Sequence, residues 1–178
     1  MNKELEVKIL DIDEKEIDKK LLDLGAKKEE KFFKIYSYKI DSDKDDYEEH
    51  IRLRDEGNKI TLTYKKKENN KIDGTEEIEF EVSSFEEASK FLSKFKFNGI
   101  YYQERKRIDY ILKEIVFSID FWPKIPAFLE IESNSIDNVN KGLKLLNLEG
   151  KDVGNLSIIK VYNNYSLDLH SFKELKFD

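Results

Sequence analysis

The chain is predicted to be an α+β protein: a closed antiparallel barrel of about eight strands with helices packed outside it. Three observations predict this. Short segments alternate between apolar and charged residues, their charges are sorted by segment instead of mixed, and three helical stretches with recognisable starts each follow a Glu-x-Glu segment. Alternation gives a strand two chemically distinct faces. A sheet of such strands buries its apolar face under helices and, closed on itself, encloses its charged face as a polar tunnel. An inward arginine then needs an anion, and an inward glutamate pair needs a cation.

Glu4-Leu5-Glu6-Val7-Lys8 opens the series. As a strand it sets Glu4, Glu6 and Lys8 on one face and Leu5, Val7 and Ile9 on the other. Paired carboxylates offer hard oxygen ligands to Mg²⁺ or Mn²⁺, and Lys8 adds a compact positive charge suited to phosphate. For this strand alone a solvated outer face is the better explanation of the pattern; repetition along the chain gives the site reading its weight. Asp13, with Glu16 three residues on, fits a helix N-cap, and Ile17, Leu21 and Leu24 follow at helical spacing to an exit at Gly25. Phe32 to Ile40 is a strand leading to an acidic loop, Asp41 to Asp46. Ile51-Arg52-Leu53-Arg54 alternates, turns at Glu56-Gly57-Asn58, and returns as Ile60 to Lys65 with Thr61, Thr63 and Lys65 on one face. Lys65-Lys66-Lys67, a basic run, enters another turn at Asn69 to Gly74. Glu77, Glu79 and Glu81 share a face of the next strand.

Ser84 with Glu87 caps a second helix carrying Ala88, Phe91, Leu92 and Phe95. Arg105, Arg107 and Asp109 then oppose Lys106, Ile108 and Tyr110 on a strand, and Phe117 to Phe121 presents Ser118 and Asp120. A rigid turn, Trp122 to Pro126, leads to Leu129-Glu130-Ile131-Glu132. Ser135 caps a third helix with Val139, Leu143 and Leu146, leaving at Gly150. A last helix is expected from about Asn155 to Tyr165, before a short tail ending in Phe177. The first and third strand–helix units resemble one another, a weak internal pseudo-symmetry.

At 178 residues the expectation is a single domain, 1–178, able to bury a core. The charged fraction is 39% against a usual value of about 25%, yet 39% of residues are hydrophobic and fall periodically, which argues for order. A net charge of −6 argues against a nucleic-acid partner, so any anion site is local. The absence of cysteine excludes disulfides, thiolate catalysis and zinc-thiolate sites. With no signal peptide and no apolar run near the roughly 20 residues of a membrane span, the expectation is a soluble, cytoplasmic protein without a membrane partner. A homodimer is compatible with the sequence.

Seven groups in order, Glu4-x-Glu6-x-Lys8, Arg52-x-Arg54, Lys65, Glu77 to Glu81, Arg105-x-Arg107, Asp120 and Glu130-x-Glu132, resemble the CYTH family, the triphosphate tunnel metalloenzymes. The resemblance covers the chain closely to Glu132 and loosely beyond. That family includes class IV adenylyl cyclases, thiamine triphosphatases and inorganic tripolyphosphatases. The resemblance implies that Glu4, Glu6, Glu130 and Glu132 hold Mg²⁺ or Mn²⁺. It implies that Lys8, Arg52, Arg54, Lys65, Arg105 and Arg107 grip phosphate, and that Glu79 and Glu81 orient the site. Glu4, Glu6, Lys8 and Asp120 are the implied catalytic groups. Two departures stand out: Pro123 to Phe128 replaces a glycine-rich approach to the last Glu-x-Glu of cyclases, and Thr75 stands where arginine is frequent. Both weaken an inference to a nucleoside substrate.

The function this implies is a triphosphatase acting on tripolyphosphate or a small organic triphosphate such as thiamine triphosphate. The alternatives are a class IV adenylyl cyclase turning ATP into cyclic AMP and pyrophosphate, and a non-catalytic module binding triphosphate or polyphosphate. Clustered carboxylates repel, so divalent ions are expected to stabilise the fold and mild acid to lower activity. A carrier of apolar ligands is excluded by the charged interior positions. His50 and His170 are read as incidental, and Trp122, Phe121 and Phe128 as core or loop anchors more than base-stacking groups.

Overall fold

A computed structural model describes residues 5–40, 49–67 and 75–178. In chain order the elements are β1 (Leu5–Ile9), α1 (Glu14–Asp23), β2 (Lys27–Lys39), β3 (Glu49–Asp55), β4 (Ile60–Lys67) and β5 (Thr75–Glu81). Then come α2 (Phe85–Leu92), β6 (Gly99–Leu112), β7 (Ile115–Phe121), β8 (Phe128–Ser133), α3 (Ile136–Leu146), α4 (Ile158–Asn164), a 3-10 turn (Leu169–Ser171) and β9 (Glu174–Leu175). The hydrogen-bonded strand order is β1-β8-β7-β6-β2-β3-β4-β5, with β9 parallel to β6. The α+β class therefore holds. The order begins on β1 and ends on β5, and among the described residues no hydrogen-bonded ladder closes it into a barrel. The acidic loop expected at Asp41 to Asp46 and the turn at Asn69 to Gly74 lie outside the described residues.

The chain divides into two compact units. One comprises the residues through Lys31 together with Arg105–Ser171. Here β1 pairs with β8, β8 with β7 and β7 with β6, all antiparallel. The registers Lys8↔Glu130, Ser118↔Glu130 and Arg107↔Asp120 carry the polar parity unbroken from strand to strand. The opposite parity, with Ile9, Ile119, Leu129, Ile131, Phe117 and Tyr110, is covered by Ile17 and Leu21 of α1 and by Val139, Leu143 and Leu146 of α3. Burying this set is what holds the helices on the sheet.

The helix starts follow the sequence. Asp13 Oδ1 accepts from the amides of Lys15 and Glu16, at 3.0 and 3.1 Å, and Ser135 Oγ from that of Asn138 at 3.2 Å. The reciprocal arm expected of Glu16 goes elsewhere, for its carboxylate pairs with Lys20 one turn on, at 2.6 Å. Gly25, at φ +80°, takes the left-handed position after α1. The exit of α3 is instead Asn147, at φ 58°, three residues before Gly150. Asparagine tolerates the left-handed region through its short polar side chain, so a glycine-only search overlooks it.

The second unit comprises Phe32–Glu104 and Phe172–Asp178. β3 is flanked by β2 and β4, and β5 lies beyond β4, all antiparallel. Arg52 opposes Thr63 and Arg54 opposes Thr61, while Thr63 opposes Glu79 and Lys65 opposes Glu77. The other face packs Tyr38, Leu53, Phe85 and Leu92 together, with Tyr36 stacked on Phe85 at 5.5 Å. Ser84 Oγ caps α2 by accepting from the Glu87 amide at 3.1 Å. The tail does more than end the chain: β9 pairs with Tyr102 and Gln103, and Leu175 is fully buried.

Gly142 lies where α3 meets the sheet, and a Cβ there would stand 2.8 Å from Ile131 Cγ2 and 3.2 Å from Phe117 Cε1. Both neighbours are fully buried and cannot retreat. Gly142→Ala is expected to lose about 1 kcal/mol in urea unfolding, because overpacking at about 1–3 kcal/mol outweighs the ~1 kcal/mol gained in helix propensity. A gain in stability would mean that this contact is looser than described.

Candidate metal and anion site

The polar face of the first unit concentrates buried charge. Asp120, 1% exposed, accepts from Arg107 Nε at 2.9 Å and Nη2 at 2.6 Å, a bidentate pair between opposed residues of β6 and β7. Arg105 Nε lies 3.1 Å from the same carboxylate. Arg107 Nη2 also reaches Glu130 Oε1 at 3.1 Å, and Lys8 Nζ joins Glu130 Oε2 at 3.0 Å to Glu6 Oε1 at 2.9 Å. Strand parity brings together residues from four strands, and register places them in reach.

The charges tune one another. Burial alone would depress Lys8, but its hydrogen bond to Glu6 and the charge of Glu130 more than offset that and raise its pKa. Burial likewise works against Glu130, and Arg107 and Lys8 prevail, holding its carboxyl below the usual range. For Asp120 burial is the larger influence and pushes the carboxyl up, opposed by Arg107 and Arg105. Burial also lowers Arg105, while Arg107 is raised because Asp120 and Glu130 overcome the cost of its burial.

One oxygen from each of Glu6, Glu130 and Glu132 lies within 4.8 Å of the others. Three hard oxygen donors at that spacing suit Mg²⁺ or Mn²⁺, and the Lys8 ammonium resting between two of them shows that the site already attracts a cation. Glu4, the remaining expected ligand, lies outside the described residues. Asp120, expected among the catalytic groups, is paired with Arg105 and Arg107.

The second unit carries a separate basic face. Arg54 pairs with Glu56 at 2.7 Å, Lys65 with Glu77 at 3.1 Å, and Arg52 approaches Glu79 at 3.6 Å. Glu79 accepts from Thr63 Oγ1 at 2.7 Å, which holds its carboxyl below the ordinary range. Glu81 shares this face, opposite Thr61. Burial, then the charge of Arg54, lowers the pKa of Arg52. The Nε atoms of Arg52 and Arg54 are buried with no acceptor among the described residues, which leaves directed donors for an anion. His50 lies within β3 on this face, opposite Lys65, and burial followed by the charges of Arg52 and Lys65 depresses its pKa.

Several partners were not singled out in the sequence. Glu56 keeps the parity of Arg54 two residues on, a signal that reading it as turn obscured. Asp109, buried, accepts from Ser118 Oγ at 2.7 Å and Lys31 Nζ at 2.6 Å, extending the polar network of the first unit. Trp122 has the Arg105 guanidinium 5.9 Å from its ring centroid, and Phe128 is buried, which fits their reading as anchors.

A CYTH domain model matches residues 2–152. A Methanocaldococcus jannaschii protein named "Putative adenylate cyclase" is 33% identical over 146 residues, 80% of this chain and 83% of its own length. A solved structure from Pyrococcus horikoshii is similar with TM-score 0.61 and 25% identity, covering 88% of this chain and 98% of that one. A Hippeastrum structure, of an adenylyl cyclase candidate described as having a dominant triphosphatase activity, shares the fold with TM-score 0.53 and 14% identity over 93% of this chain and 97% of that one. No helix among the described residues is long and apolar enough to cross a membrane.

Burial alone would raise Asp109, yet its bonds to Lys31 and Ser118 bring its folded pKa below the unfolded value. Its contribution to stability is thus present above that unfolded value and lost as pH falls through the folded one. Asp109→Asn should flatten the acid limb of a stability–pH curve measured by urea unfolding below about pH 5, by up to about 1.4 kcal/mol per pH unit. Parallel acid limbs for the two proteins would contradict this.

Proposed function

The chain belongs to the CYTH family, and from that premise we propose that it is a metal-dependent triphosphatase acting on inorganic or small organic triphosphate. The observation carrying this reading is the meeting of Glu6, Glu130 and Glu132 oxygens beside the Lys8 and Arg107 cations on one sheet face. A polyanion there finds cations for its oxygens, and a divalent ion finds carboxylates. The closed barrel and single tunnel domain expected from the sequence belong to this proposal, as do the phosphate-binding roles of Arg52, Arg54 and Lys65.

In this reading Glu6, Glu130 and Glu132, with Glu4, hold Mg²⁺ or Mn²⁺, which when bound supplies Lewis-acid neutralisation of phosphate charge. Arg107 is already fixed by Asp120 through Nε and Nη2, so its guanidinium would meet a phosphate oxygen with little further ordering. Lys8, beside Glu6 and Glu130, would supply a second positive charge for a phosphate oxygen. A carboxylate of the glutamate set orients the attacking water. Positioning and charge stabilisation are most of what phosphoryl transfer asks of a protein.

The second reading is a class IV adenylyl cyclase, favoured by the name of the 33%-identical relative. Against it, the aromatic side chains beside the last turn are engaged: Trp122 with Arg105 and Tyr162, Phe128 in the interior, and Phe121 against the hydrophobic core. They offer no platform for a nucleobase.

Incubation with tripolyphosphate and with ATP under Mg²⁺ or Mn²⁺, assayed separately for orthophosphate and cyclic AMP, is expected to yield orthophosphate from tripolyphosphate. Glu6→Gln and Glu130→Gln should each lower turnover about 100-fold or more, the scale on which charge-stabilising groups act. Cyclic AMP as the main product would favour the cyclase, and tight binding without either product a binding module. Full activity in both variants would refute the metal assignment.

A further inference from the structure

The family match ends at residue 152, yet the chain that follows is built into the frame of the polar face. The Val153 amide donates to the Lys8 carbonyl at 2.8 Å, and the Lys8 amide donates to the Gly154 carbonyl at 3.0 Å. These bonds cover the edge of β1 opposite β8. Asn155 Oδ1 stands 3.5 Å from Lys8 Nζ. Beyond it, α4 inserts Val161 and Tyr162, both fully buried. Tyr162 donates its hydroxyl to the Pro123 carbonyl at 2.8 Å and sets its ring edge-on to Trp122, at 6.3 Å and 87°. Trp122 in turn carries the Arg105 guanidinium.

Arg105 thus has the Asp120 carboxylate on one side, as an ion pair, and the indole on the other. An arginine left to itself spends about 2 kcal/mol of rotamer entropy when it is immobilised on a ligand. An aromatic face that holds the guanidinium beforehand reduces that loss and adds cation–π attraction. A buried tyrosine hydroxyl needs an acceptor wherever it packs; the acceptor Tyr162 takes is the backbone of the turn that follows Trp122. That bond ties α4 to the turn beside Trp122, and the Tyr162 ring meets the indole edge-on.

We propose that Tyr162, acting through Trp122, is a positioning residue that presets Arg105 for the triphosphate. The inference rests on the reading of Arg105 as an anion ligand, and it assigns a role in that site to a segment beyond the family match. Tyr162 itself touches no substrate.

Trp122 is the sole tryptophan, so its emission reports on Arg105 directly. The test titrates tripolyphosphate with Mg²⁺ into the full chain, following Trp122 emission and, in parallel, calorimetric affinity. The wild type should show a saturable emission change whose midpoint matches its Kd. Arg105→Met should bind about 10-fold more weakly and lose the emission change, since the cation over the ring is gone. Tyr162→Ala should bind about 5-fold to 10-fold more weakly, and adding it to Arg105→Met should cost almost nothing more, because both act through one guanidinium. Tyr162→Phe, which keeps the packing ring and removes only the Pro123 bond, should fall between and serves if the alanine variant does not fold. Tyrosine variants that lower thermal stability while leaving affinity and emission unchanged would overturn the positioning role and leave the triphosphate reading standing. So would losses that add fully in the double variant. Absence of binding by the wild type, or undiminished binding by Arg105→Met, would overturn the reading of Arg105 and the inference with it.

Discussion

A carboxylate 1% exposed cannot remain without a counter-charge, and the organisation of the polar face follows from how Asp120 is matched. Arg107 meets it with two bonds and Arg105 with one ion pair. Removing Arg107 would take away both hydrogen bonds that this buried carboxylate accepts from it. With Arg107 fixed, its second contact falls on Glu130, and Glu130 in turn holds Lys8. The chain of alternating sign from Asp120 to Glu6 is therefore one electrostatic unit, and cooperation of this kind makes its members preorganised instead of individually floppy.

The same unit bears on the triphosphate reading proposed for this chain. A site for triphosphate with a divalent ion must present excess cation to one partner and excess anion to the other without collapsing on itself. In the first unit, lysine and arginine sit interleaved with carboxylates, so each charge has an internal partner until a ligand competes for it. In the second unit, Arg52 and Arg54 keep buried Nε donors unengaged among the described residues, a more open demand for an acceptor. Apolar packing against α1, α3 and α2 supplies the rigidity that both faces rely on.

Much of this was legible in the sequence because strand parity is a local property. Once β1, β6, β7 and β8 are recognised as strands, alternation alone assigns Glu6, Lys8, Arg107, Asp120 and Glu130 to the polar side. Partners across strands depend on register, which no local pattern specifies; Asp120 reads as a catalytic group in sequence, and its contacts with Arg105 and Arg107 appear only in the structure. Elements resting on one or two long-range contacts were equally hidden. β9 exists because Leu175 finds a buried place beside β6, and Asn147 ends α3 in the conformation usually left to glycine, whereas α4, Ile158–Asn164, lies within the helix expected from about Asn155 to Tyr165. Tyr162 acquires meaning only through its contact with Trp122.

The central claim is that the acidic and basic side chains of the first unit form a single site for a divalent ion and a phosphate chain. A crystal structure of the protein with Mn²⁺ and tripolyphosphate, with the metal located by anomalous scattering, tests it most directly. The account predicts a manganese peak among Glu6, Glu130 and Glu132, with phosphate oxygens on Arg107 and Lys8. Manganese bound elsewhere, or a triphosphate that contacts neither cation, would contradict it.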